Sequence, residues 1–277
     1  MLGLGKFNDL KVIKKVDFGV YLKSDDLEIL LPLKYVPEGL RQGEVINVFI
    51  YKDSEDRLIA TTLKPYAIVD EFAYLRVKQV NQTGAFLDWG IEKDLLVPFR
   101  EQGKKMEEGK RYMVRIYLDQ STQRIAASAQ INKFIEKENI DLQEEDIVQI
   151  QVAQKTDMGY NAIINNQYLG LLFGNEIFEN INIGDKKNAF VKRIREDKKI
   201  DLSLQRSGYE LIDVSKNRIL KMLKENKGFL PLSDSSSAQK ISRVLKMSKK
   251  SFKKSIGTLY KERIIEINYD GIKLIVP

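Results

Sequence analysis

The chain holds no cysteine and no histidine in its 277 residues. Without cysteine there is no disulfide framework and no thiol nucleophile, and without histidine there is no Ser-His-Asp triad; a Cys/His zinc centre lacks both kinds of ligand. A large part of enzyme chemistry is thereby excluded. Long apolar runs are missing too. Nothing approaches the ~20 residues of a spanning helix, and MLGLGKFNDL, which already holds Lys6 and Asp9 before charge continues at Lys11, has no apolar stretch of signal-peptide length. The expectation is a cytoplasmic protein with no membrane partner.

What is present is a globular balance of 43% hydrophobic and 31% charged residues, which favours packed cores over disorder. At roughly 100–150 residues per common domain, two to four cores are expected. One pattern recurs three times. Gly-led strands at Gly19–Leu22, Gly84–Leu87 and Gly159–Ala162 are offset by 65 and 75 residues. Each is followed by a Leu-rich strand (Leu30–Leu33, Leu96–Phe99, Leu171–Phe173), a β-rich run (Val45–Tyr51, Tyr112–Leu118, Ala189–Ile194) and a closing strand (Arg57–Thr61, Arg124–Ser128, Lys199–Ser203). Five short alternating strands in such a span fit a small closed antiparallel barrel of the OB type. Closure removes the sheet edges, so each repeat is expected to fold by itself. Ile131–Asp146 reads as a charged connector with a short helical look.

After Ser207-Gly208 the period changes from two to about 3.6. Val214, Ile219, Leu220 and Leu223 share a helix face that Asn226-Lys227-Gly228 stops; Ser237 precedes a short segment with Ile241, Val244 and Leu245; Ser248 caps a helix striped by Phe252, Ile256 and Leu259. Two alternating strands between Ile264 and Val276, around Asp270-Gly271, read as a hairpin. Three helices and a hairpin make a winged helix-turn-helix. The expected fold is therefore mainly β: barrels at 1–66, 67–139 and 140–208, the last degenerate, and a winged helix at 209–277.

The net charge of +7 is unevenly spread: the first three segments carry 0, +1 and −2, whereas 209–277 holds 15 basic and 7 acidic residues, +8. An anionic partner for the last segment follows as an expectation. Along alternating strands Tyr21 and Phe86 point outward while their neighbours point in. An outward aromatic is either a stacking platform for an unpaired base or a side chain covered by its surroundings. In the third helix Lys250, Lys253, Lys254 and Lys261 lie opposite the apolar stripe with Gly257 among them. Lysine suits phosphates, whereas base readout favours forked Arg, Asn or Gln contacts; a solvated helix face is the alternative.

The strands Phe18-Gly19-Val-Tyr-Leu and Thr83-Gly84-Ala-Phe-Leu, with the turns Asp53…Arg57 and Asp119…Arg124, resemble S1 RNA-binding domains. That resemblance implies an RNA face of Phe18, Tyr21, Asp53 and Arg57 in the first repeat and of Phe86, Asp119 and Arg124 in the second. Pro32 and Pro98 stand where the family has a histidine, and Thr83 replaces an aromatic. In the third repeat Asn161 takes the platform position, Tyr160 has inward parity, Phe173 stands at the histidine position and Lys199 replaces the arginine. The basic run from Lys192 to Lys199 reads as a solvated turn or a phosphate track. Leu230-Pro-Leu-Ser-Asp-Ser-Ser, Met247 to Lys261 and Asp270-Gly-Ile-Lys-Leu resemble the C-terminal domain of the conserved virulence factor B (YitL-like) family. It implies an RNA-binding regulator of gene expression without catalytic activity.

No enzyme motif competes. Gly103 to Arg111 has five residues between its glycines and Arg in place of the magnesium-binding Ser or Thr of a phosphate loop. Asp25-Asp26 and Glu144-Glu145-Asp146 sit in polar loops. No metal or cofactor is expected. The expected partner is single-stranded RNA, with duplex DNA through the winged helix, or a docked protein, as alternatives; a monomer is favoured.

Overall fold

The computed structural model describes residues 2–205 and 209–275, with side chains of 209–214 excepted. It forms two compact units, Met1–Ile135 and Glu136–Pro277. Among the described residues no helix is long and apolar enough to cross a membrane. The fold is mainly β, as the alternation predicts.

In the first unit, β1 (Phe7–Val16), β2 (Gly19–Ser24), β3 (Leu27–Pro32), β4 (Val45–Lys52) and β5 (Leu58–Thr61) close into a barrel in the order β1-β2-β3-β5-β4. Val20, Leu22, Ile29, Leu31, Val48 and Ile50 fill it. The second repeat has β6 (Phe72–Val80), β7 (Gly84–Leu87), β8 (Leu95–Pro98), β9 (Arg111–Asp119) and β10 (Arg124–Ser128), but its sheet runs β10-β9-β6-β7-β8 and stays open. The expected closure of every repeat therefore fails here. β8 has four residues where β3 has six, and no ladder joins it to β10.

The second repeat is not self-contained either. Phe49 and Tyr51, on the outward face of β4, are buried in the second core beside Trp89. The Phe49 and Trp89 rings meet edge to face at 5.3 Å. β4 thus buries Val48 and Ile50 in one core and Phe49 and Tyr51 in the next, and each large side chain removed from water contributes about 1.5–3 kcal/mol.

In the second unit, β11 (Ile147–Thr156), β12 (Gly159–Ile164), β13 (Tyr168–Phe173), β14 (Lys186–Ile194) and β15 (Ile200–Ser203) form a closed barrel of the first type. Each repeat opens on a strand (β1, β6, β11) that the sequence pattern left unnamed. Each such strand carries a bulge at one place, between Val12 and Lys14, Val77 and Gln79, and Val152 and Gln154. The expected helical connector is reduced to one 3-10 turn, Ile131–Lys133. Its Phe134 packs instead on Tyr117, rings 5.8 Å apart.

The C-terminal part contains α1 (Tyr209–Glu225), β16 (Phe229–Leu230), α2 (Ala238–Leu245), α3 (Lys249–Lys261), β17 (Ile265–Ile267) and β18 (Ile272–Leu274). Ser248 accepts a hydrogen bond from the Ser251 N–H at 3.0 Å, so the predicted cap forms, and Ser237, which precedes α2, caps it in the same way through the Lys240 N–H at 3.2 Å. Phe252, Ile256 and Leu259 pack on Ile219 and Leu223, while Val244 faces solvent. The wing has three strands rather than two, because β16 pairs with β18. Ser207, Gly208 and Val276, and the Val214 side chain, lie outside the described residues.

Candidate nucleic-acid interface

The leading glycines place the platforms. Gly19, Gly84 and Gly159 have φ of 155°, 154° and 150°. A Cβ there would lie 2.2, 2.3 and 2.0 Å from the carbonyl oxygens of Leu31, Val97 and Leu172. Only glycine allows so close a crossing. Their strand partners are Pro32, Pro98 and Phe173, so the three positions that depart from the S1 pattern are equivalent in space. Two residues on from each glycine stand Tyr21, Phe86 and Asn161. All three are half-buried, Tyr21 and Phe86 between buried neighbours and Asn161 between half-buried Tyr160 and buried Ala162, and they pair with Lys14, Gln79 and Gln154 at the bulge. A bulge re-aims side chains beside it.

Phe18 is 58% exposed and meets Tyr21 edge to face at 6.5 Å. Tyr21 and Phe18 thus form one aromatic surface. Asp53 organises its own turn: one carboxylate oxygen accepts the Glu55 and Arg57 N–H groups at 2.9 and 3.0 Å, and the other accepts Arg57 Nε at 2.8 Å. Asp119 does likewise, accepting Ser121 and Thr122 N–H and the Ser121 hydroxyl at 2.6 Å. The Ser121 hydroxyl bond, with the Thr122 amide next, holds the Asp119 carboxyl down at about 2. Arg124 leaves its own turn and crosses to the first repeat, where Nε donates to Asp56 at 2.9 Å and Nη2 to the other oxygen. The Arg124 bond keeps the Asp56 carboxyl below its usual range.

A second crossing runs the same way: Lys93 donates to the Asp53 carbonyl at 2.6 Å, and burial, the largest influence on it, lowers its ammonium. Lys34 pairs with Glu92. Arg124, Asp56 and Lys93 line a cavity of about 440 Å³ together with Phe86, Asp119, Tyr51 and Trp89. Of the predicted residues, Phe86, Asp119 and Arg124 are brought together; Phe18 and Tyr21 are not part of this cavity, and Asp53 and Arg57 pair with each other. Asp56, Lys93 and Trp89 escaped sequence reasoning because the second repeat has no counterpart of Asp56 and no pattern marks a partner in another repeat. The single tryptophan was the one available signal.

In the third barrel Phe173 already carries cations, with Lys192 Nζ at 5.9 Å and the Arg195 guanidinium at 5.8 Å from its ring. Arg195 is fixed by Asp201 at 3.1 and 2.7 Å, Lys192 pairs with Glu176, and Lys199 pairs with Asp197 at 2.7 Å. Three of the five cations of the basic run are thus paired with carboxylates of the same repeat. Tyr160 packs against the core. On α3, Lys250, Lys253, Lys254 and Lys261 are all exposed, and space is open around Gly257. Tyr260, 57% exposed, lies at the edge of this face and was not singled out.

Residues 4–63 and 71–129 match the S1 domain family, and residues 217–274 match the CvfB-like winged helix domain. Conserved virulence factor B of Staphylococcus epidermidis is 26% identical over 239 residues, 84% of this chain and 80% of that protein. The uncharacterized protein YitL of Bacillus subtilis is 26% identical over 262 residues, 91% and 87% of the two chains. The solved structure of a multidomain protein with nucleic acid binding domains from Streptococcus pneumoniae aligns over 98% of both chains at 24% identity and a TM-score of 0.44. This chain joins S1 domains to a CvfB-like winged helix domain, and along most of its length it is similar to the conserved virulence factor B and YitL proteins.

Proposed function

We propose that this chain is a non-catalytic, RNA-binding regulator of gene expression, acting on RNA after transcription. S1 and winged-helix domains are nucleic-acid-binding domains, and the virulence-factor name of the relatives supports a regulatory role. The observation that carries the reading is the repeated platform: Tyr21 and Phe86 stand at one register position, beside one bulge and two residues after one crossing glycine. Stacking on them would hold unpaired bases with little sequence preference, tilted toward pyrimidine-rich strands, at roughly 1–3 kcal/mol per base. The α3 lysines would add salt-dependent attraction to phosphates. A lysine face without forked base-reading side chains favours a single strand over specific duplex readout.

The test is a Tyr21→Ala, Phe86→Ala double variant, titrated with single-stranded RNA and with duplex DNA at one stated salt concentration. The expected outcome is a loss of at least about 30-fold for the RNA, from the lower bound of two stacking contacts. Unchanged RNA affinity, or tighter binding of duplex DNA by the wild type, would overturn the reading.

A further inference from the structure

The cavity between the first two repeats is one that neither repeat makes alone. One side is the unclosed seam of the second sheet, where Leu96 of β8 and Ala126 of β10 line it without a ladder between them. The other side is the β4–β5 turn of the first repeat, which supplies Lys52, Ser54 and Asp56. Its volume of about 440 Å³ falls in the ~300–1,000 Å³ range of small-ligand sites. Aromatic and aliphatic walls (Phe86, Trp89, Leu96) are accompanied by the cations Lys52, Lys93, Arg100 and Arg124, which outnumber the carboxylates Asp56, Asp94 and Asp119 by one. That combination suits a flat ring carried on an anionic chain. Arg124 and Asp56 are 61% and 40% exposed, so water screens their two-point pair and can replace it as the guanidinium exchanges one anion for another. Arg124 is therefore able to turn from Asp56 to a phosphate, for which its guanidinium makes a two-point contact.

We infer that this junction takes one unpaired nucleotide, base against Phe86 and Leu96 and phosphate on Arg124, so that a single strand is gripped jointly by both repeats. The inference rests on the RNA reading above and adds to it a subsite half built from the first repeat's turn.

The experiment uses the full chain, with oligouridine and oligocytidine as probes. Trp89 is the only tryptophan and lines the cavity, so its emission reports occupancy directly. Affinity is read separately by anisotropy of end-labelled RNA. The expected result is saturable quenching of Trp89 with the midpoint of the anisotropy curve. Ser54→Leu, a change at an exposed turn position that fills the cavity, is expected to weaken binding about tenfold or more, to abolish the quenching and to leave thermal unfolding unchanged. Binding that leaves Trp89 emission unaltered, or a Ser54→Leu variant that binds as wild type, overturns the junction site. If Ser54→Leu binds normally while Tyr21→Ala, Phe86→Ala does not, the barrel-face reading stands and only the junction falls. If neither variant is impaired, the RNA reading itself falls.

Discussion

Asp53 and Asp119 show how one side chain serves its turn before it serves a ligand, because each gives one carboxylate oxygen to backbone amides a few residues on. Asp119 sits at about 2 against an ordinary 3.8. A carboxyl depressed in the folded state stabilises it fully above the ordinary value, and that contribution is lost as the pH falls through the folded value. The Ser121 and Thr122 amide resonances are therefore expected to stay constant from neutral pH to about pH 5 and to titrate with a midpoint near 2; a midpoint near 4 would show that the carboxylate is not held by this turn. Which side chains point out was legible from parity alone, as Tyr21 and Phe86 demonstrate. Where Arg124 reaches was not, since Asp56 lies 68 residues away and no local pattern encodes a partner at that distance.

Among the elements, two glycines make opposite demands. At Gly84 an added methyl would meet the Val97 carbonyl oxygen at 2.3 Å in a backbone region closed to L-residues, whereas at Gly257 in α3 it would meet nothing within 4 Å. Gly84→Ala is expected to lower the thermal unfolding midpoint sharply, by several kcal/mol in stability. Gly257→Ala is expected to raise it slightly, by about 0.5–1 kcal/mol of helix propensity. Equal effects in calorimetry would contradict both placements. The helix caps and the strand alternation were readable because each is written within a few residues. β16 escaped because two residues carry no period, and it forms only where Phe229 and Leu230 meet Lys273 and Ile272.

At the scale of the whole molecule, the charge excess belongs to residues 209–277, and α3 presents four exposed lysines from it. Replacing Lys250, Lys253, Lys254 and Lys261 by glutamine is expected to reduce the slope of log affinity against log salt by up to about 3, at ~0.7 per phosphate contact on a single strand. An unchanged slope would remove α3 from the binding surface. The sequence by itself determined the three repeats, the aromatic parity, the winged helix and the location of the charge, because hydrophobic period, turn residues and charge are local or additive. Only the tertiary structure decided that β4 is buried on both faces, that the second sheet stays open, and that Arg124 and Lys93 tie the second repeat to the first. Those features arise from the fit of one repeat's outer surface to another's, and an outward-facing Phe49 reads the same in sequence whether it meets water or a neighbouring core.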